Sequence, residues 1–332
     1  MSNWPDRLRN RARDLRVAFD KQWASVYGLK TPQRAGRIVW GTRGPLELEG
    51  VESISLGAAA VLARHDSQLR LPSLRKLNPE LARLLAQHRH DLYVDGCRNL
   101  DALTASVIAK HGLETVRKSW EDSLRLLKAI EEIPSPDDAG WKLEHAIDLE
   151  DALFVTPGSL RTLTLSLSGL RKLSPAAARG LGKHRGTLIL DGLKEISDEA
   201  ARQLANHFGS LELNGLRSLT PTAAAALAHG GGEWGKGFVF DNRLSLNGLR
   251  SISPDTASEL ARYQGPLRLD GLRELTPDVA EALSAFNPLC TYDRLNLNGL
   301  RQLSPESARR LGPFGASLCL GGLKTEIGRA HV

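Results

Sequence analysis

Two residue types recur at fixed spacing in this chain, and each could do chemistry. The first is a basic residue that follows a Gly-Leu pair or its equivalent, at Arg75, Arg98, Arg171, Lys194, Arg217, Arg250, Arg273, Arg301 and Lys324. Guanidinium and ammonium groups bind carboxylates and phosphates. The row therefore predicts either a basic ridge that contacts an acidic partner or a nucleic acid, or long stems that cover apolar surface with their charged ends in water.

The second recurring residue is histidine, at His65, His88, His111, His184 and His207. Stacked imidazoles could bind metal, but Tyr263, Phe286 and Phe314 occupy the same register in later repeats. The position therefore requires a flat ring near a helix end, and we predict no metal site. The cysteines, Cys97, Cys290 and Cys319, lack CxxC spacing, so we predict no disulfide framework. Outside the repeat pattern the sequence has no Ser/His/Asp or Cys/His set and no GxxxxGKS/T motif, so we also predict no cofactor and no catalytic residues.

Both rows belong to a repeat whose consensus is L-x-L-x-G-L-x-x-L-S-P-x-x-A-x-x-L-A-x-H. Units begin at Leu46, Leu69, Leu92, Leu165, Leu188, Leu211, Leu244, Leu267, Leu295 and Leu318, and six of the nine spacings are 23 residues. The L-x-L segment has the alternation of a short strand. Ser/Thr-Pro is typical of a helix N-cap followed by the first helical residue. Because so small a unit cannot bury its own leucines, neighbouring units must stack.

These units resemble those of leucine-rich repeat proteins. They are most similar to the variety that reads L-x-L-x-G-C-x-x-I-T-D, and Cys97 in LYVDGCRNL lies where that variety has its cysteine. Tandem units of the GLxxLSPEAAxxLAxH kind also resemble a bacterial group. The resemblance implies an α/β solenoid with parallel strands on one face and short helices on the other. It also implies binding, usually of protein, along the strand face, and no single activity.

The middle residue of each L-x-L segment is expected to face solvent. These residues differ in charge and size while the framework repeats, at Glu47, Arg70, Tyr93, Ser166, Ile189, Glu212, Ser245, Arg268, Asn296 and Cys319. Variation on a rigid scaffold suits a recognition surface, although an unselected surface would also vary. We predict that this strand face binds a protein partner.

The N-terminal segment, residues 1–45, carries most of the positive charge. It has a net charge of +7 in a chain whose total is +6. Leu8, Ala12, Leu15, Phe19 and Trp23 form one apolar helical stripe, which predicts a docked capping helix. The surrounding arginines also suit an arm that binds nucleic acid or an acidic surface.

The remaining segments divide the chain further. Residues 46–112 hold three units, and residues 165–325 hold seven, of which the last is incomplete. Residues 113–164 are either a helical insertion or degenerate repeats, and 230–243 form a glycine-rich insert. We expect residues 326–332, EIGRAHV, to be foreign to the protein, because GAG ATC GGA AGA GCA CAC GTC, a common sequencing-adapter read, encodes them. In that case the natural chain would continue past Thr325.

Composition limits the class of protein. The chain is 41% hydrophobic and 25% charged, as globular proteins are, and it has no apolar run long enough to span a membrane. We therefore predict a cytoplasmic, non-catalytic scaffold that binds a protein partner. The alternative is a protein that binds nucleic acid or an acidic partner through its basic arm and ridge.

Overall fold

The computed structural model describes residues 4–111, 163–229, 242–288, 294–312 and 317–323. Ten strands alternate with short helices after an N-terminal helical pair. The helices are α1 Trp4–Tyr27, α2 Pro32–Gly41, α3 Leu56–Leu62, α4 Pro79–Leu85, α5 Ala102–Ile108, α6 Pro175–Leu181, α7 Asp198–Leu204, α8 Pro221–His229, α9 Pro254–Leu260, α10 Pro277–Ser284 and α11 Pro305–Leu311. The strands are β1 Leu46–Glu47, β2 Leu69–Arg70, β3 Leu92–Tyr93, β4 Thr164–Ser166, β5 Thr187–Ile189, β6 Leu211–Glu212, β7 Leu244–Ser245, β8 Leu267–Arg268, β9 Arg294–Asn296 and β10 Ser317–Cys319.

The strands form one open, parallel sheet in sequence order, from β1 to β10. Equivalent residues of successive units are paired, as in Leu46 with Leu69 and Leu267 with Leu295. Each helix packs on the helix of the next unit. The predicted α/β fold, with parallel strands on one face and short helices on the other, is thereby confirmed.

The sheet continues without interruption across all three irregular spacings. Leu92 of β3 pairs directly with Leu165 of β4, although 73 residues separate them. Likewise, β6 pairs with β7 and β8 with β9. The ladder is therefore continuous at all three places. Residues 113–162 of the predicted insertion or degenerate repeats, residues 230–241 of the glycine-rich insert and the tail 326–332 lie outside the described residues.

The core is a continuous stack of leucine and alanine. The paired strand leucines Leu46, Leu69, Leu92, Leu165 and Leu188 are fully buried. The helix that follows each strand adds further small or aliphatic residues, such as Ala200, Ala201 and Leu204 of α7. Neighbouring units supply the apolar contacts that one unit lacks, so the stack gains its hydrophobic stabilisation collectively.

Helix starts follow the predicted Ser/Thr-Pro chemistry. The Ser174 hydroxyl accepts a hydrogen bond from the Ala177 amide, and the Ser253 hydroxyl accepts one from Thr256. The side-chain oxygens of Asn78 and Asp101 accept the equivalent amide hydrogen bonds at the starts of α4 and α5. Each cap satisfies one amide that the first helical turn leaves without a partner, which fixes where a seven-residue helix begins.

The glycine after each strand is required by close stacking of the backbone. A Cβ atom on Gly215 would collide with the carbonyl oxygens of Asp191 and Leu193 in the preceding unit. Gly248 and Gly271 meet the same pair of carbonyls one and two units further on. Main-chain carbonyl groups of the preceding unit therefore leave no room for a side chain at this turn.

The N-terminal pair α1 and α2 packs against the first repeat. The Leu29 amide donates to the Ser53 carbonyl, and the Ser55 amide donates to the Leu29 carbonyl. Ala35 and Ile38 of α2 are fully buried in the common core. The pair thus covers the apolar end of the solenoid that β1 and α3 would otherwise expose.

Two glycine-to-alanine substitutions should separate close stacking from helix propensity. We expect Gly215→Ala to reduce the free energy of unfolding by about 2 kcal/mol or more, because main-chain atoms must move. Gly36→Ala in α2 should stabilise the protein by about 1 kcal/mol, since a Cβ there meets nothing within 4 Å. Urea denaturation of both variants measures the difference, and equal effects would show that the glycine contacts are not restrictive.

Candidate interaction surfaces

A ladder of Asp and Asn side chains links the units along the edge where the strands end. The side-chain oxygen of Asn214 accepts from the Asn247 amide at 3.1 Å, and that of Asn247 accepts from the Asp270 amide at 2.9 Å. Asp191, Asp270 and Asn298 make the same bond to the next unit. We call this set, with Asp95, the Asx ladder. The sequence reasoning missed it, although Asp or Asn precedes the glycine in six units.

The strand-face residues differ in exposure more than alternation predicts. Glu47 is exposed, and Arg70, Tyr93, Ile189, Glu212, Arg268, Asn296 and Cys319 are half-buried. The prediction of solvent exposure is wrong for Ser166 and Ser245, each 2% exposed. Their hydroxyls donate to Asp95 and Asn214 of the Asx ladder. The two serines therefore brace the ladder and offer little surface to a partner.

The two ends of the strand face differ chemically. At the N-terminal end the Arg70 guanidinium carbon lies 4.3 Å from the centre of the Tyr93 ring, a cation–π contact. Burial raises the pKa of the Tyr93 hydroxyl. At the C-terminal end a shallow depression is lined by Arg243, Pro266, Arg268, Arg294, Asn296, Asn298 and Cys319. The N-terminal end of the strand face is therefore aromatic with charges of both signs, and the C-terminal end is strongly basic.

The predicted basic ridge follows the turn after each strand. All eight described members are exposed, namely Arg75, Arg98, Arg171, Lys194, Arg217, Arg250, Arg273 and Arg301. Main-chain bonds place successive members side by side, as from the Arg217 amide to the Lys194 carbonyl at 3.0 Å. Lys324 lies outside the described residues.

Acidic neighbours leave most of this ridge unpaired. Asp95, Asp191 and Asp270 each lie three residues before a ridge member in the sequence, but their carboxylates accept hydrogen bonds within the Asx ladder. Among the described residues, the ridge forms one ion pair, between Arg75 and Glu52. Glu195 and Glu274 are exposed and form no ion pair in the described part of the chain.

The N-terminal cap uses part of its positive charge internally. Asp20, 2% exposed, accepts from Arg34 Nε at 3.0 Å and from Arg37 Nε at 2.8 Å. Hydrogen bonding to Arg37 lowers the pKa of this carboxyl. The Arg34 guanidinium also lies 3.5 Å from the centre of the Trp23 ring. Two of the ten basic residues in 1–45 are therefore committed to joining α1 to α2.

The predicted apolar stripe of α1 is wrong at Phe19. This ring is 61% exposed, whereas Asp20 and Ala24 are buried. The side of α1 that faces α2 carries Asp20, which bonds to Arg34 and Arg37, as well as Trp23. The side chains of Leu8, Ala12 and Leu15 lie outside the described part of the structure. Arg13, whose Nε lies 4.0 Å from an Asp14 carboxylate oxygen, and Arg16 remain exposed to solvent.

The histidines form a buried row just after the C-terminal ends of the helices. Ring centres are 6.3 Å apart for His88 and His111, 6.2 Å for His111 and His184, and 5.8 Å for His184 and His207. His207 Nε2 lies 3.0 Å from the Gly186 carbonyl oxygen. The hydroxyl of Tyr263 donates to the equivalent carbonyl of Asn242, which explains why tyrosine can replace histidine.

Burial keeps these imidazoles neutral. Desolvation lowers the pKa of His88 to about 4, of His184 to about 3 and of His207 to about 4. It also lowers the pKa of His111 well below the ordinary value. The described residues include no group of three His, Cys, Asp or Glu side chains placed to share a metal ion. The row acts as packing between units.

The histidine row should make stability depend on pH. Because the folded-state pKa is depressed, the unfolded chain takes up protons first as pH falls below about 6.5, so stability should decrease from there towards pH 4. His184→Phe should reduce the slope by up to about 1.4 kcal/mol per pH unit. Phenylalanine suits the position because Phe286 occupies it in another unit with 1% exposure.

Urea titrations of both proteins from pH 8 to pH 4 measure this slope. At pH 8 both carry a neutral ring, so the difference there reports packing alone and serves as the reference. Parallel curves for the wild type and His184→Phe would contradict a buried, neutral His184.

Comparison with known proteins gives no identification. No protein-family model matches the chain, and no curated protein matches it. Within the described ranges, no helix combines the length and apolar character needed to cross a membrane.

Proposed function

We propose that this protein is a non-catalytic scaffold that binds a protein partner through the strand face of a leucine-rich-repeat solenoid. The observation that carries the proposal is the contrast within the sheet. Strand leucines are buried and nearly invariant, while the residues between them include Glu47, Arg70, Tyr93 and Ile189 on one rigid surface. A preformed surface loses little conformational entropy on binding, which favours recognition of a folded or extended partner.

The absence of catalytic activity belongs to the same proposal. The residue types that enzymes use most have structural partners here. Asp95, Asp191 and Asp270 accept main-chain hydrogen bonds, and the described histidines of the row are buried. A cytoplasmic location and membership of the leucine-rich repeat proteins are likewise proposed, on the repeat pattern and its parallel sheet.

A second candidate function is binding of nucleic acid or an acidic partner by the basic ridge and the N-terminal cap. Eight exposed cations in one line, with a single described ion pair, favour it. The ridge lacks interleaved aromatic residues on which bases could stack, since the residues after the ridge members include Lys76, Lys172 and Glu195. The strand face is therefore the first candidate.

Site-specific photo-crosslinking in the cells that make the protein separates the two candidates. A benzophenone amino acid replaces Tyr93 or Ile189 on the strand face, Arg217 or Arg250 on the ridge, and Arg202 on the exposed side of α7. We expect protein adducts from Tyr93 and Ile189, because the partner covers these positions. Arg202 is the matched control and should give none.

Nuclease treatment identifies the adduct. Nuclease-sensitive adducts at Arg217 and Arg250, with none at Tyr93 or Ile189, would contradict the strand-face proposal and support the ridge.

Deleting residues 1–45 is a poor test of the arm, because α2 buries Ala35 and Ile38 in the core. Arg13→Gln with Arg16→Gln removes charge from α1 and leaves that core intact.

A further inference from the structure

The N-terminal cap exposes large aromatic side chains on its outer side. Among the described residues five large hydrophobic side chains are exposed, and the aromatic ones all belong to α1 and α2. Trp40 of α2 is 87% exposed and Phe19 of α1 is 61% exposed. Because successive helical residues turn by about 100°, Phe19 points about 140° away from the buried Ala24. Trp40 points about 160° away from the buried Ile38. Both rings therefore face away from the core, at the end of the solenoid.

The packing of α1 against α2 places these two rings at the same level. Asp20 bonds to Arg37, and a Cβ atom on Gly41 would meet the Val17 side chain. The two helices therefore run antiparallel, and each ring lies between these two contacts on its own helix. Since the axes of packed helices are about 8–10 Å apart, the rings are neighbours across the pair. We call Phe19 and Trp40 the aromatic patch.

Cations border the aromatic patch. Arg16 lies one turn before the ring of α1, and Arg43 follows three residues after the ring of α2. Both are exposed and form no ion pair in the described part of the chain. The acids nearest to them face other directions, since Asp20 is buried against its two arginines and Asp14 lies about 140° around α1 from the ring. The surroundings of the patch are therefore complementary to an anionic ligand.

An anionic membrane surface suits this combination of groups. Tryptophan and phenylalanine on one side of a helix bury their rings at the boundary between lipid headgroups and acyl chains, and arginines beside them attract anionic headgroups. Two antiparallel helices that present their rings in one direction match a planar surface. A second copy of the chain is disfavoured, because it would bring two caps together, each with a net charge of +7 over residues 1–45.

A nucleic acid fits the patch less well. Single-stranded nucleic acids bind where stacking rings accompany a basic groove that follows the backbone. The outer sides of two adjacent helices are convex, and the depressions lined by Arg250 and by Arg268 lie in later units. The cap therefore offers a nucleic acid rings and charge without a channel.

We propose that the aromatic patch, together with Arg16 and Arg43, binds the surface of a membrane that contains anionic lipids. The rings enter the headgroup region, and the arginines pair with lipid phosphates. The inference goes beyond the proposed function, because it uses the end of the solenoid and does not depend on the partner protein. The strand face runs along the side of the solenoid, so it stays accessible to a partner while the cap is on the membrane.

The test is co-sedimentation of the full-length protein with lipid vesicles. Vesicles of equal parts phosphatidylcholine and phosphatidylglycerol present a negative surface, and vesicles of phosphatidylcholine alone do not. We expect the protein to sediment with the first and to remain in solution with the second. Failure to sediment with the anionic vesicles would overturn the proposal.

Two double variants separate the rings from the charges. Phe19→Ser with Trp40→Ser should weaken binding to anionic vesicles about tenfold or more, because the rings no longer bury apolar surface in lipid. Arg16→Gln with Arg43→Gln should weaken it about fivefold for each charge removed. Unchanged binding of the aromatic variant would overturn the proposal by showing that charge alone attracts the protein.

Matched controls come from surfaces away from the cap. Leu103→Ser changes a leucine of α5 that is 62% exposed, and Arg217→Gln with Arg250→Gln removes two charges from the ridge. We expect each to change vesicle binding by less than about twofold. Arg217 follows β6, five strands from β1, which is roughly 25 Å and several Debye lengths from the cap. Equal losses from the ridge and cap arginine pairs would contradict a site on the cap. Circular dichroism confirms that each variant is folded.

Two soluble probes test the other anionic partners of the cap. A labelled single-stranded oligonucleotide and a labelled hexaglutamate peptide are titrated by fluorescence anisotropy into the wild type and the aromatic variant. We expect neither probe to lose affinity when the rings are removed. Loss of oligonucleotide binding in this variant, with vesicle binding retained, would overturn the proposal in favour of nucleic acid. The same result with the peptide would overturn it in favour of an acidic protein.

Discussion

The whole structure depends on how closely the main chains of successive units approach at the glycine turn. Gly215, Gly248 and Gly271 lie against carbonyl oxygens of the preceding unit, and the residue before each glycine bonds to the amide of the unit that follows. The first contact allows two units to lie this close together only where the residue has no side chain, and the second sets their register. Together they make a chain of small, individually unstable units into one continuous sheet.

The chemistry of each surface follows from that register. Strand residues from successive units lie about 5 Å apart, so a side chain at one position always has its equivalents as neighbours. The same rule creates the exposed row of cations, the buried row of histidines and the depression between Arg243 and Arg294. It also explains why serine at the strand position becomes structural: Ser166 and Ser245 are short enough to reach the Asx ladder instead of solvent.

Sequence reasoning predicted the features that repeat and missed those that depend on side-chain geometry. The 23-residue period, the strand alternation and the helix caps are local, so each unit of the sequence predicts the same structure. The Asx ladder was missed because Asp, Asn, Ser, Glu, Pro and Gly all occupy its position, so the repeat consensus leaves that residue undefined. The prediction for Phe19 in α1 was wrong because the neighbouring Asp20 turns inward to bond to residues 14 and 17 positions further along. The depression could not be predicted from one unit, since its arginines come from three.

Hydrogen exchange of the Asp270 amide in an Asn247→Ala variant tests the central claim most directly. In the wild type this amide donates to the Asn247 side chain, whereas the adjacent Leu269 amide donates to the Asn296 carbonyl within the sheet. The account predicts that the Asp270 amide exchanges about tenfold faster in the variant while Leu269 stays protected. Unchanged protection of Asp270, or equal acceleration of both amides, would contradict the claim that the Asx ladder sets the register of the units.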